Sequence, residues 1–235
     1  MKKNRIILVV LVAALLVMSP AWAPQDGKKD IQAVLVRVIN NVESKAPTKG
    51  WSTAINYQQL KAGYEVRTQA KSVAVIKFLD QSKLVVREKS IAEIKGEVQG
   101  RQILDRQVHM TKGNIKFEVT KQPKEQFRFT SPISVASIRG TSGLWGQEDS
   151  SSVYVMLTGF LNLLNLSSNR SEDVGAGQTG IADIDGDIVV RPSTDDEQGD
   201  AEKNDDDEDK TRREIRITGE DKDGKVRTVI LEWEE

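Results

Sequence analysis

The feature that most constrains this chain is a two-residue alternation of apolar and polar side chains that recurs through its middle part. It is clearest in Asn114–Thr120, where Ile115, Phe117 and Val119 alternate with polar residues. Successive side chains of a β-strand point to opposite faces, so this pattern predicts a strand with one buried and one solvent-exposed face. Beyond the N-terminal region no segment shows the helical period, and the sequence therefore predicts an all-β domain.

The other predicted strands are short and are separated by turn residues. In Ala74–Leu84 the apolar residues share one face, and the chain reverses at Asp80–Ser82. Val153–Leu166 is apolar on both faces, so it either lies between two layers or contains a turn at Gly159. Asn40–Gly50 is predicted to be a loop. Three further strands are predicted at Ile31–Ile39, Ala92–Val98 and Gln102–Val108.

The N-terminus has the layout of a secretory signal peptide. Lys2–Arg5 is basic, Ile6–Met18 is an apolar run of 13 residues, and Ala21 and Ala23 provide small residues for cleavage. A bilayer span needs about 20 apolar residues, so an uncleaved anchor is the weaker interpretation. We therefore expect a signal peptide over residues 1–23, with cleavage after Ala23 or Ala21. The mature protein is then expected in the periplasm or secreted, with no stable membrane span.

The formal net charge of −1 hides a strong asymmetry, because Thr194–Asp209 carries ten acidic residues and one lysine. This acidity argues against a nucleic-acid-binding face. Apolar residues nearly vanish between residues 191 and 213, and such a segment buries too little surface to offset the entropy of ordering. The sequence therefore predicts an acidic disordered linker over 191–213.

The last segment, residues 214–235, predicts a C-terminal β-hairpin. Glu214–Thr218 and Val226–Trp233 alternate in character and flank Asp223-Gly224, a dipeptide typical of tight hairpin turns. An isolated two-stranded hairpin is marginal in water. We therefore expect its apolar residues to dock on the main domain or on a partner.

Residue types exclude several kinds of catalysis and metal binding. The chain has no cysteine, so it has no thiolate nucleophile or cysteine zinc site, and His109 is its only histidine. We expect His109 to be structural. Asp183–Asp187 has the alternating carboxylates of a calcium loop, but the twelfth position of an EF-hand loop would be Thr194 instead of glutamate. We predict a polar turn there, and no metal or cofactor.

A carboxylate-only enzyme, such as a glycosidase, would need a spatially paired acid and base. Glu88, Glu93 and Glu118 are candidates, but nothing in the sequence pairs them. We therefore predict no catalytic residues and no enzymatic activity.

Several segments together carry a family resemblance. Leu60–Thr68, Ala74–Leu84 and Ser137–Thr141 resemble, in order and spacing, the FecR domain family of bacterial envelope proteins. Trp51 stands where that family usually has a tryptophan. Downstream, Val153–Gly159 and Gly175–Gln178 resemble the closing strands of the family, so the likeness covers about residues 30–190.

The resemblance implies a β-solenoid-like stack of short strands, and a β-sandwich is the alternative that the alternation equally satisfies. This sequence departs from the family pattern at two places. The family commonly has glycine where Gln81 stands, which predicts a turn that avoids a positive φ angle or is slightly longer. Ser142-Gly143 replaces the large apolar or acidic residue that usually follows the Arg139-Gly140-Thr141 motif.

That motif, Arg139-Gly140-Thr141, is the sharpest local candidate for a binding site. In a functional interpretation, Arg139 grips a carboxylate or phosphate beside backbone that glycine keeps accessible. In a structural interpretation, Gly140 takes a special backbone angle in a turn and Arg139 pairs with a neighbouring acid. The structural interpretation is favoured.

The function implied by the resemblance is a non-catalytic binding or scaffolding module in the bacterial cell envelope. Its partner is expected to be another envelope protein, a peptide or a glycan. A sensory role is the alternative, because members of the family relay signals from outer-membrane receptors to sigma factors. Since the signal segment comes first in this chain, a sensory role would require a separate protein to carry the signal inward.

Overall fold

The computed structural model describes residues 31–99, 102–121, 127–205, 213–220 and 226–233, and most of this backbone lies in strands. The predicted signal peptide lies outside these residues. Nowhere in the described ranges does a helix have the length and apolar character needed to cross a bilayer. The all-β prediction is therefore confirmed.

The strands of the main domain are numbered in chain order. They are β1 (Ile31–Ile39), β2 (Val42–Lys45), β3 (Ser52–Thr53), β4 (Gln58–Lys61), β5 (Tyr64–Thr68), β6 (Val73–Phe78), β7 (Lys83–Val86), β8 (Ile91–Gln99), β9 (Gln102–Val119), β10 (Phe127–Thr130), β11 (Ser134–Ile138), β12 (Thr141–Gln147), β13 (Ser151–Thr158), β14 (Phe160–Asn165), β15 (Ser171–Gly175), β16 (Gln178–Asp183) and β17 (Ile188–Pro192).

Strand pairing divides these strands into two layers. Layer A has the order β4-β1-β6-β7-β9-β12-β13-β16-β17 and is antiparallel throughout. Layer B has the order β3-β2-β5-β8-β9-β10-β11-β14-β15, and only its β9–β10 pair is parallel. From β6 onward the chain mostly places two strands in one layer and then two in the other.

The strand β9 belongs to both layers. Its first part pairs with β8 and β10 in layer B, and its last part pairs with β7 and β12 in layer A. The crossing occurs at Gly113, where φ is +108° and a Cβ atom would lie 2.1 Å from Ser90 Oγ. The two predicted strands at Gln102–Val108 and Asn114–Thr120 are thus one continuous strand that bends at this glycine.

The core fills the space between the layers, because the alternating apolar residues of both point inward. A run of aromatic rings links the two layers. Phe78 of layer A contacts Phe127 of layer B with ring centroids 5.0 Å apart, and Phe129 of layer B stacks on Trp145 of layer A at 4.9 Å. Trp145 in turn stacks on Tyr154. The alternation that predicted the strands therefore identifies their inner faces.

Turns account for two of the open predictions. Val153–Leu166 contains the turn at Gly159, where φ is +72°, and so forms the two strands β13 and β14. The predicted loop Asn40–Gly50 instead contains the short strand β2, which pairs with β5 along its whole length, Val42–Lys45.

The prediction of a disordered linker is wrong for its first half. Residues Asp195–Glu202 form a helix, α1, which begins with a capping box between Thr194 and Glu197. The helix packs on the outer face of layer A, where Ala201 is fully buried with Leu144 and Val155. Composition alone predicted disorder because it takes no account of cations that other strands bring to this helix. Residues 206–212 of the predicted linker lie outside the described residues.

The C-terminal segment forms the two strands of a hairpin. β18 (Arg213–Glu220) and β19 (Val226–Trp233) pair antiparallel over eight residues each. The turn that joins them falls outside the described residues. The docking of its apolar side chains stays a prediction.

Candidate functional site

The turn between β6 and β7 is held by a buried ion pair. Asp80 Oδ1 accepts a hydrogen bond from the backbone N–H of Ser82 at 3.0 Å, and Oδ2 accepts one from the Ser82 hydroxyl at 2.7 Å. Arg106 of β9 also donates to Asp80 Oδ2, and both side chains are about 95% buried or more. Because every polar atom of the carboxylate is engaged, this part of the family motif has a structural role.

The prediction for Gln81 in the same turn is wrong. Its φ angle is +72°, so the turn keeps the backbone conformation that glycine usually provides. Gln81 N donates to the Phe78 carbonyl at 3.0 Å and Ser82 O accepts from Phe78 N at 2.8 Å. These hydrogen bonds close a turn of fixed length and leave the Gln81 side chain exposed at its tip.

The Arg139-Gly140-Thr141 motif forms the turn between β11 and β12. Gly140 has a φ of +68°, and a Cβ atom there would lie 2.8 Å from Cβ of Lys121. Thr141 is 3% exposed, and Arg139 lies exposed in the turn. The geometry of Gly140 matches the structural interpretation, while a binding role for these three residues stays a prediction.

These two turns lie beside an open groove on the outer face of layer A. Its first part has a volume of about 470 Å³ and its second part about 310 Å³, and both are lined by Gln81 and Glu118. The first part adds Arg37, Lys77 and Lys83 above apolar contacts from the strands. The second part is lined by six further residues, which are Val119, Thr120, Gly140, Thr141, Ser142 and Thr158.

Strand register explains why these residues meet. Lys77 pairs with Lys83, and Lys83 pairs with Glu118 across β6, β7 and β9. Ser142 of β12 pairs both with Glu118 and with Thr158 of β13. Neighbouring strands lie about 4.8 Å apart, so this row of side chains forms a continuous polar wall with excess positive charge at one end.

A second row, the central row, crosses the same outer face toward α1. Its members are consecutive cross-strand partners: Arg37, Val75, Val85, Lys116, Leu144, Val155, Thr179 and Arg191. Cations thus stand at both ends and in the middle, and the residues between them are apolar except for Thr179. Sequence analysis missed this row, although the basic residues occupy the outward positions of alternating strands.

The helix α1 covers part of the central row and is bound by its cations. Arg191 forms a bidentate pair with Glu197 at 2.7 and 2.9 Å, and Lys116 Nζ donates to the carbonyls of Glu202 and Lys203. The hydrogen bond from Arg191 is the main reason that the pKa of Glu197 falls from 4.5 to about 2. This acidic helix is therefore attached by charge as much as by apolar contact.

Arg87, which directly follows β7, makes a second set of contacts with the same segment. It donates to Asp200 Oδ2 at 2.9 Å and to the Asp200 carbonyl, and its Nε pairs with Asp205 at 2.5 Å. The side chains of Arg87 and Asp205 are only 12% and 11% exposed. Arg87 thus binds both the last turn of α1, through Asp200, and the residues just beyond the helix, through Asp205.

The candidate catalytic carboxylates do not come together. Glu93 pairs with Lys95 on β8 at 3.2 Å, and Glu88 accepts a hydrogen bond from the backbone N–H of Lys71 at 2.5 Å. Glu118 lies on layer A, in the groove. These three residues therefore form no acid–base pair.

His109 lies half-buried on β9, with Nδ1 3.1 Å from the hydroxyl of Thr130. Burial, together with the nearby Lys95, lowers its pKa.

Asp183–Asp187 forms the turn between β16 and β17, as predicted, and Arg170 donates to Asp187 Oδ1 and to the Gly186 carbonyl at 2.8 Å. Among the described residues, no three histidine, aspartate or glutamate side chains are grouped as metal ligands would be.

Trp51 is half-buried on the outer face of layer B. The Arg67 guanidinium carbon lies 4.2 Å from its ring centroid, and Lys45 Nζ lies 5.6 Å from it. Arg67 also pairs with Glu43 at 2.7 Å. The tryptophan ring therefore packs against basic side chains of β2 and β5 in layer B.

The domain is all-β and consists of two packed layers of short strands, with an open groove on its outer face. The turn held by the buried Asp80–Arg106 pair and the turn at Gly140 lie beside this groove. Residues 64–161 match the FecR protein family, so this part of the chain is similar to FecR proteins. The predicted family resemblance is confirmed, over a narrower range than residues 30–190.

Solved structures include two crystal structures, at 1.65 and 2.50 Å resolution, of a candidate anti-sigma factor from Parabacteroides distasonis. Each has 14% sequence identity to this chain and a TM-score of 0.47. The match covers 55% of this chain and 59% of the other, so this chain spans about three-fifths of that protein. No curated protein matches the chain.

Proposed function

We propose that this protein is a non-catalytic binding module of the bacterial cell envelope, and that it acts in FecR-type signalling through a separate protein partner. The match of residues 64–161 to the FecR protein family supports the signalling context. The observation that carries the binding role is the groove on layer A. It opens beside the Asp80–Ser82 turn and the turn at Gly140, which belong to two of the segments that carry the family resemblance.

The groove suits a protein segment better than a glycan. Its lining combines Lys77, Lys83 and Glu118 with backbone and small polar side chains from three neighbouring strands. Sugar rings commonly pack against aromatic faces, whereas the residues lining the two described parts of the groove include no aromatic side chain. An extended peptide with acidic side chains would complement the excess of basic groups.

The buried motif residues contribute by holding the groove in shape. The Asp80–Arg106 pair fixes the β6–β7 turn, and the Ser82 hydroxyl accepts a hydrogen bond from Thr120 N at 3.0 Å. The tip residue Gln81 is thereby held beside the end of β9. A preformed groove lowers the entropy cost of binding a partner.

Site-directed photocrosslinking in intact cells tests this proposal. A photoreactive amino acid placed at Gln81 or Lys77, both exposed at the groove, is expected to give a discrete protein adduct. The matched control is Glu172, which is exposed on β15 of layer B. Adducts of equal yield from the control position, or none from the groove positions, would contradict the proposal.

A further inference from the structure

We propose that the part of the central row beneath α1 is a second docking surface, that its partner is an acidic segment of another protein, and that α1 occupies the surface in cis. This inference goes beyond the groove and does not depend on it. It rests on the composition of the surface and on the weak intrinsic stability of the helix that covers it.

The surface beneath α1 is both apolar and basic. Leu144 and Val155 supply the apolar centre, and Val153 and Leu157 pack beside them. Lys116 lies directly beside Leu144 in the central row, and Arg191 lies on the other side of the centre, beyond Thr179. A face of this kind is suited to a segment that offers a small apolar side chain flanked by carboxylates.

The helix itself supplies those groups and little else. Ala201 is its only buried residue among the eight, and its side-chain contacts to basic residues are made by Glu197 and Asp200, while the Glu202 carbonyl accepts from Lys116. Asp205, just beyond the helix, pairs with Arg87. Another chain that presents a small residue between correctly spaced carboxylates could make the same contacts.

The helix depends on this docking for its stability. An isolated helix shorter than about 12 residues is marginal in water, and an interior glycine costs about 1 kcal/mol relative to alanine. α1 has eight residues, contains Gly199, and has no basic side chain in its last turn. Its capping box helps it to begin at Thr194, but the cations of layer A hold the rest. Undocking therefore exposes the apolar centre of the surface.

Competition between a tethered and a free copy of the same segment tests the proposal. The probe is a fluorescein-labelled synthetic peptide with the sequence of residues 193–205, titrated into the full chain at low salt. A tethered segment has an effective concentration of about millimolar, so wild-type protein is expected to bind the peptide weakly. The variant Glu197→Gln with Asp205→Asn weakens the tethered contacts and is expected to bind about tenfold more tightly.

A matched control removes two charges of α1 that make no contact with these cations. Asp196→Asn with Glu202→Gln changes exposed side chains at the two ends of the helix. Its peptide affinity is expected to equal that of the wild type. On the receptor side, Arg191→Ala added to the releasing variant should abolish the gain, whereas Lys95→Ala, on layer B, should leave it unchanged.

A second releasing variant guards against incomplete undocking. Ala201→Arg forces a long charged side chain into a fully buried position without altering the receptor residues. Hydrogen exchange of amides 195–202 is expected to accelerate in both releasing variants. Equal peptide binding by wild-type and released protein, persistent protection of α1 in both variants, or equal binding of a scrambled peptide would overturn the proposal. A dimer formed through exchanged α1 helices would also overturn it, because a second copy would then be the occupant.

Discussion

At the scale of single residues, the family pattern of this domain is explained by contacts within the protein. Asp80 accepts hydrogen bonds from Ser82 and pairs with Arg106, which comes from a strand 26 residues away in sequence. The reversal at Asp80–Ser82 could be predicted, because turn residues interrupt the alternation. The arginine partner could not, since alternation gives the face of a side chain and not the residue opposite it in the other layer.

Replacing Asp80 with alanine tests the importance of this pair. The variant leaves the Arg106 guanidinium buried without a carboxylate, and breaking a buried pair in this way costs about 3–5 kcal/mol of unfolding free energy. Urea unfolding followed by tryptophan fluorescence measures the loss. A double variant, Asp80→Ala with Arg106→Leu, should recover part of it because no buried charge remains. A loss below about 1 kcal/mol in the single variant would contradict a structural role.

Gln81 offers a second test in the same turn. A residue other than glycine at a φ of +72° is strained by about 1 kcal/mol relative to glycine. Gln81→Gly should therefore raise the unfolding free energy or leave it unchanged, despite the greater flexibility of the unfolded chain. Thermal unfolding compared with Gln81→Ala provides the control, since alanine keeps the strain. Destabilisation by glycine alone would mean that the Gln81 side chain itself supports the turn.

At the scale of secondary-structure elements, the strands were largely predictable and the helix was not. The strict alternation around Phe117 is a local signal, so the strand at Asn114–Thr120 appears where the sequence predicts it. α1 depends instead on Arg87, Lys116 and Arg191, which lie just after β7, in β9 and in β17. The one local signal for the helix was the Thr194-x-x-Glu197 pattern of a capping box, which the acidic composition concealed.

The attachment of α1 should weaken in acid. The pKa of Glu197 is lowered to about 2, below the value of 4.5 that applies when the helix is released. A carboxylate with a lowered pKa stabilises the docked state fully above about pH 4.5 and loses this contribution as the pH falls toward 2. A ¹³C NMR titration of the Glu197 carboxylate measures the shift directly, and the Ala201 methyl resonance reports on docking.

Glu197→Gln is the control for this titration. The variant removes the Glu197 carboxylate and retains Asp200 and Asp205 with their contacts to Arg87. Wild type should therefore show a larger pH-dependent change in Ala201 docking than the variant between pH 4.5 and 2. Identical pH dependence in the two proteins would mean that the Arg191–Glu197 pair contributes nothing to holding α1.

At the scale of the whole molecule, the class of the fold follows from the sequence while its connectivity does not. Alternation predicts strands with one buried face, and two layers that bury those faces against each other satisfy it. The order of strands depends on which hairpins pair across long sequence separations, such as β11 with β14 and β13 with β16. The groove and the central row depend on that order, which is why neither could be predicted as a site.

The crossing of β9 has a mechanical consequence. One uninterrupted strand is hydrogen-bonded into both layers, with Gly113 at the bend. Neither layer can shear along its strands without pulling the other out of register, so a load applied to one face is carried into the opposite face. A displacement of layer A by a bound partner would therefore be transmitted to layer B through the continuous backbone of β9.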